Sequence, residues 1–297
     1  MSNVTKKAKY LGTKMVYKIS PKLLSNILYR IRFGKFIDFN DPKGFNEKLQ
    51  WLKFNYDNPN VIKCGDKYDM HQYVKNKGYE EILNEIYGVY YDSKEIDYDK
   101  LPSKFVLKGT HGCGFNIICK DKSKIDVIKT NKILDKWLTT DYSYKSGEVH
   151  YSKMKPKIIA EKFIDPDDGE SLTDYKVYCF NGKPHCTMVC KERTGPGGKA
   201  DYYFFDNNWN KVDYEKNGKD YNGKFEKPKN FEKMLKYSEI LSEEFPFVRM
   251  DFYDTKDGII LGEMTFTPCA ALDNDYKDDV ELLLGNMISI KNIKKAS

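Results

Sequence analysis

The sequence predicts an α+β fold in which a mainly helical N-terminal region precedes antiparallel sheets with helices packed on them. Three observations carry that reading. Apolar residues recur mostly at helical spacing until about residue 95. After Leu101-Pro102, short β-rich runs separated by turn residues take over. The composition, 40% apolar and 14% aromatic over 297 residues, is enough for a sizeable folded core.

The chain divides into residues 1–40, a basic amphipathic helical segment; 41–100, a helical region; and 101–290, the main domain, with subdomains 101–160 and 161–290. In the first segment Ser20 and Pro21 read as an N-cap and first helical position, and Leu23, Leu24, Ile27, Leu28 and Ile31 follow at helical spacing. Residues 1–35 hold nine Lys and Arg and no acid, so the net +6 of the chain is local; 41 basic residues face 44 acidic ones elsewhere. Such a helix suits an anionic membrane surface or an acidic partner. A helix packed on the main domain, with its charges in water, is the commoner arrangement.

Further along, the spacing predicts helices over Asn46 to Asn55 and from Asp66, whose carboxylate caps the helix containing Lys67. Strands are expected at Phe105 to Leu107, Asn116 to Cys119, Lys157 to Ile164, Tyr175 to Phe180 and Cys186 to Cys190. A helix over Ile125 to Leu138 separates the second from the third. Residues 206–230 read as surface turns, followed by a helix from Phe231 to Glu244. Strands Phe247 to Tyr253 and Ile259 to Phe266 close the domain, with Asp257-Gly258 at their turn.

Two constellations carry chemistry. In the first, the strand ending at Lys108 runs into Gly109, Thr110, His111, Gly112, Cys113 and Gly114, and a second strand returns from Asn116. Glycines let backbone N–H groups approach phosphate oxygens and the lysine adds a point charge. The spacing is not that of a Walker loop, and a glycine-rich hairpin reads the same way. In the second, strand alternation puts Arg249 and Asp251 on one face, and Glu263 and Thr265 on another; pairing of the strands brings Asp251 near Glu263. Two bare carboxylates repel, so a divalent cation or a shared cationic partner is required there. An exposed hairpin with solvated acids, or an Arg249 salt bridge, satisfies the same spacing. The seven cysteines include no CxxC pair and read as buried thiols; His185 beside Cys186 and Cys190 is too loosely spaced for zinc.

In order and spacing these segments resemble the ATP-grasp superfamily and, within it, the TupA-like group associated with bacterial surface-polysaccharide synthesis. The resemblance rests on Lys108 with its glycine loop, Glu161-Lys162-Phe163-Ile164, Arg249-Met250-Asp251 and Glu263-Met264-Thr265. Phe45 to Leu52, Asp66-Lys67-Tyr68 and Leu101-Pro102 extend it. It implies an ATP-grasp fold, two α+β subdomains gripping ATP, and an ATP-dependent ligase that joins a carboxylate to an amine through an acyl phosphate. Lys108, Gly109, Gly112, Gly114 and Lys176 would then cover the phosphates, Glu161 to Ile164 would receive adenine, and Asp168 the ribose. Asp251 and Glu263 would hold Mg²⁺; Thr265 stands where the superfamily has a metal-binding Asn. Arg249 would steady the acyl phosphate. His111, Asn116 and Arg193 are substrate candidates, Arg193 within a glycine-rich segment that reads equally as a lid or a plain loop.

The implied substrates are a carboxylated glycan, such as a uronic acid, and an amino acid or amino sugar, with no nucleic acid partner. A sugar or small-molecule kinase, or a non-catalytic ATP-binding partner of a membrane glycosyltransferase docked through residues 1–35, keeps the same ATP site. The N-terminus lacks the features of a signal peptide and no apolar run is long enough to span a bilayer, so the cytoplasm, or the inner face of its membrane, is the expected compartment.

Overall fold

The computed structural model describes residues 3–166, 172–191, 201–216, 225–291 and 293. The N-terminal helices α1 (Asn3–Ile19) and α2 (Pro21–Phe33) meet at Ser20, whose hydroxyl accepts from the Leu23 amide at 3.2 Å. Gly34, at φ +75°, ends α2 in the left-handed conformation that glycine adopts without steric cost. Leu24, Ser25 and Tyr29 are buried against the main body, so α2 packs on the domain. Helices α3 (Phe45–Asn55), α4 (Pro59–Gly65) and α5 (Lys67–Asn76) follow.

The first sheet has the order β1-β4-β2-β3, from β1 (Ile86–Tyr90), β2 (Phe105–Gly109), β3 (Asn116–Cys119) and β4 (Ile158–Lys162), all antiparallel. β1 falls within the stretch expected to be mostly helical. Its short Ile86-Tyr87-Gly88-Val89-Tyr90 run gains its structure from pairing with β4, a tertiary effect that local periodicity does not carry. Helices α6 (Val127–Leu138) and α7 (Ser143–Ser146) lie between β3 and β4.

The second sheet has the order β10-β9-β5-β6-β7-β8, from β5 (Asp174–Phe180), β6 (Lys183–Lys191), β7 (Asp201–Asp206), β8 (Lys211–Val212), β9 (Phe247–Thr255) and β10 (Gly258–Thr265). β8 lies in the stretch read as turns. Helix α8 (Phe231–Ser242) covers one face, where Val177, Val248, Met250, Phe252, Met234 and Leu241 are all fully buried. Each such side chain contributes about 1.5–3 kcal/mol through burial. Helix α9 (Asp278–Met287) packs against α3; a Cβ on Gly285 would stand 2.3 Å from the Lys43 carbonyl, so only glycine allows this approach.

A bulge decides which way the catalytic-looking residues of β10 point. Ile259 and Leu261 face the core, and strict alternation would bury Glu263 beside them. The register slips between Leu261 and Glu263, so Met264 takes the core position and Glu263 turns to the opposite face, directly across from Asp251.

Asp66 links the helical region to the first sheet. Its Oδ1 accepts from the Tyr68 and Asp69 amides at 2.9 and 3.0 Å, capping α5. Its Oδ2 accepts from Thr110 Oγ1 at 2.7 Å and pairs with buried Lys157 at 3.3 Å. Asp66→Ala removes the cap and strands a buried ammonium, so it should lower unfolding free energy by about 3 kcal/mol, measured by denaturant titration.

Candidate functional site

Between the β2–β3 hairpin and the open face of the second sheet lies a cavity of about 520 Å³. Lys108, Gly114 and Asn116 line it from the hairpin, Lys67 from α5, and Lys176, Arg249, Asp251 and Glu263 from the second sheet. The fold therefore brings both constellations into one space.

Asp251 sits at the centre. Arg249 Nε donates to its Oδ1 at 2.7 Å, Arg249 Nη2 donates to Oδ2 at 2.7 Å, and Lys176 Nζ donates to Oδ2 at 2.6 Å. Burial alone would raise the carboxyl, but Arg249 and Lys176 overcome it and hold it below the usual carboxylate range. Burial works against the Arg249 charge, yet Asp251 keeps it firmly protonated. Thr265 Oγ1 accepts from Arg249 Nη2 at 3.2 Å, so the threonine positions the guanidinium.

Glu263 has a separate cation. Lys67 Nζ donates to Glu263 Oε1 at 3.1 Å and to the Gly112 carbonyl at 3.0 Å, bridging β10 to the glycine loop. Burial pushes the Lys67 ammonium down, and Glu263 more than compensates. Lys67 was legible only as a helix residue after a capping aspartate; its partners lie 45 and 196 positions away.

The glycine loop is closed by Gly109 N–H donating to the Phe115 carbonyl at 2.9 Å. Phe115 stacks on Trp137 at 5.3 Å, and a Cβ on Gly112 would reach within 2.8 Å of the Tyr142 ring. His111 is buried, with Nε2 at 2.9 Å from the Trp137 carbonyl, and it anchors the loop outside the cavity lining. Lys108 Nζ pairs with Glu161 Oε2 at 2.6 Å. Beyond Glu161, the Lys162 amide donates to the Glu85 carbonyl, and the Lys162 carbonyl accepts from Asn84 Nδ2, both at 2.9 Å. The Lys162 side chain is exposed, and Phe163 and Ile164 are half-buried; none of residues 161–164 lines the cavity. Asp168 and Arg193 lie outside the described residues.

The far wall is a turn that sequence reasoning missed. Cys269, Ala270 and Ala271 all have positive φ, at 49°, 60° and 57°. Each non-glycine residue so placed costs roughly 1–3 kcal/mol. Gln50 Nε2 holds the turn by donating to the Ala270 and Ala271 carbonyls at 3.2 and 3.1 Å. Asn46, one helical turn earlier, exchanges bonds with the Asp273 backbone at 2.8 and 3.0 Å. The polar pair Asn46 and Gln50 on a buried helix face was the available signal. Five of the seven cysteines are buried as expected, while Cys113 and Cys269 are exposed and line the cavity.

Two sheets of this topology about a cation-lined cavity define an ATP-grasp fold. A family profile described as TupA-like ATPgrasp matches residues 47–289, and the chain belongs to that family. No curated protein sequence matches the chain. Among solved structures, the D-alanine–D-alanine ligase from Helicobacter pylori is 13% identical over 82% of this chain and 69% of its own, with a TM-score of 0.45. The Bacillus anthracis D-alanine–D-alanine ligase complexed with ATP is 14% identical over 76% of this chain and 65% of its own, with a TM-score of 0.46. For phosphoribosylamine–glycine ligase from Thermotoga maritima the values are 12%, 71%, 50% and 0.44.

Behind the turn, Glu148 accepts from Thr267 Oγ1 and Ser146 Oγ, each at 2.5 Å. Nearby, the buried Lys53 Nζ has no hydrogen-bond partner among the described residues. Burial pushes its ammonium from 10.5 down to about 7, with Glu148 opposing. Between these values the unfolded chain holds a proton that the fold rejects, so this residue's contribution worsens as pH falls from 10.5 to 7 and levels off below. Lys53→Met should therefore be more stable than the parent at pH 7, with a flatter rise in stability towards pH 10, as read by denaturant titration across that range.

Proposed function

We propose that this protein is an ATP-dependent carboxylate–amine ligase whose acceptor is a carboxylated glycan and whose donor is an amino acid or amino sugar, acting in bacterial surface-polysaccharide synthesis. The observation that carries the ligase reading is the convergence of Lys67, Lys108, Lys176 and Arg249 on one cavity around the opposed Asp251 and Glu263. Four cations suit a triphosphate and the anionic oxygens that develop during its transfer. The glycan reading rests on membership of the TupA-like family alone.

In this scheme the acceptor carboxylate attacks the γ-phosphorus, ADP leaves, and an acyl phosphate forms. The amine nitrogen then attacks the acyl carbon, loses its proton, and inorganic phosphate departs. Lys108 and Lys176 would hold phosphate oxygens. Arg249, locked by Asp251 and Thr265, would present its guanidinium to the acyl phosphate without reorganising. Adenine would lie towards Glu161 to Ile164, which begin where Lys108 meets Glu161.

Magnesium fits this donor set. No cluster of three or more His, Cys, Asp or Glu able to hold a metal occurs among the described residues. Mg²⁺ asks less of the protein: one or two carboxylates, with phosphates and water completing its shell. Asp251 and Glu263, opposed in register, would hold it, and Glu263 is 29% exposed towards the cavity. The ion would supply charge neutralisation between phosphates.

The test is a phosphate-release assay with Mg·ATP, uronic-acid glycans and a panel of amines. Release of ADP and phosphate only when both acid and amine are present is the expected result, and a stable phosphorylated product would overturn the ligase assignment. Glu263→Gln should reduce turnover by about a hundredfold or more while leaving the fold intact.

A further inference from the structure

The two N-terminal helices have a second face that the packing of α2 does not use. Helix α1 rests on α7 and its surroundings through one side only. Tyr10 and Tyr17 lie 6.3 and 5.1 Å from the Tyr144 ring, and Lys14 Nζ stands 5.3 Å from that ring. Tyr17 also donates to Ser152 Oγ at 3.4 Å. These contacts fix the rotation of the helix. Consequently Leu11, Met15 and Ile19, spaced i, i+4 and i+8, point outward and are 50%, 69% and 77% exposed. On α2 the same arrangement recurs with Leu23 at 45% and Ile31 at 76%. Scattered exposed apolar residues are ordinary; two successive helices each presenting an aligned outward row are an interaction surface.

Charge selects the occupant. Lys9, Lys18, Lys22 and Arg30 are all exposed on these helices, and the first acid in the chain is Asp38. A second copy docking face to face would set two acid-free basic surfaces against each other, which is repulsive. An anionic bilayer meets both requirements, taking the apolar rows into its acyl boundary and the lysines at its headgroups. Among the described residues no helix is long and apolar enough to cross a membrane, so the association is with the surface. We propose that α1 and α2 form a docking face for a membrane surface rich in anionic lipid.

The experiment is cosedimentation of the full chain with phosphatidylcholine vesicles made with and without phosphatidylglycerol. The parent should pellet with the anionic vesicles and do so less as salt rises. Leu11→Gln/Met15→Gln/Ile19→Gln should weaken partitioning about tenfold or more, and Lys9→Gln/Lys18→Gln/Lys22→Gln should remove the preference for anionic lipid. All these side chains are exposed, so circular dichroism and the thermal midpoint should be unchanged. Absence of vesicle binding, equal binding by parent and variants, or a parent dimer in sedimentation equilibrium that the apolar variant dissolves would each overturn the proposal. None of these outcomes depends on ATP turnover, so this inference stands or falls apart from the ligase assignment.

Discussion

Three charged side chains from adjacent strands meet at Asp251. Arg249 spans both of its oxygens from the same strand, and Lys176 reaches one from β5. Buried ions are costly, and removing one partner of such a set typically costs about 3–5 kcal/mol because the others are left unpaired. The arrangement is tolerable only where hydrogen bonds satisfy every member, which is what the bidentate guanidinium and the Thr265 hydroxyl accomplish. Its consequence is preorganisation: cations in a cavity would ordinarily drift apart or neutralise, and here they are held charged and fixed beneath the glycine loop.

The rest of the cavity is arranged around that centre by long-range ties. Lys67 joins Glu263 on β10 to the carbonyl of Gly112, so the loop's position is coupled to the metal-type carboxylate. Asp66, next to it in the chain, secures the other side of the same loop through Thr110. Asn46 and Gln50 hold the left-handed turn that follows β10. A helical region that looks accessory in the chain thus supplies three of the struts on which the site depends, and α2 adds Arg32 to the cavity lining.

Most of the fold was readable because it follows local rules. Ser20 and Asp66 are caps with the expected bonds, and Val248, Met250 and Phe252 alternate with Arg249 and Asp251 as a half-buried strand should. The opposition of Asp251 and Glu263 was legible from the hairpin, although the bulge at Gly262 that makes it possible was not, since alternation through Leu261 places Glu263 in the core. The ambiguity between a divalent cation and a cationic partner is answered within the chain: Asp251 has Arg249 and Lys176, and Glu263 has Lys67. What local pattern could not reveal was β1, whose partner lies far along the chain, and the strained turn at Cys269 to Ala271, which exists only because Gln50 restrains it.

The central claim is that these fixed cations form a triphosphate site. Isothermal titration calorimetry of Mg·ATP into the parent and into Lys67→Met and Lys176→Met tests it most directly. The account predicts saturable binding by the parent and at least about tenfold weaker binding in each variant, since each loses a charge-assisted contact. Binding that is absent in the parent, or equal in all three proteins, would contradict it.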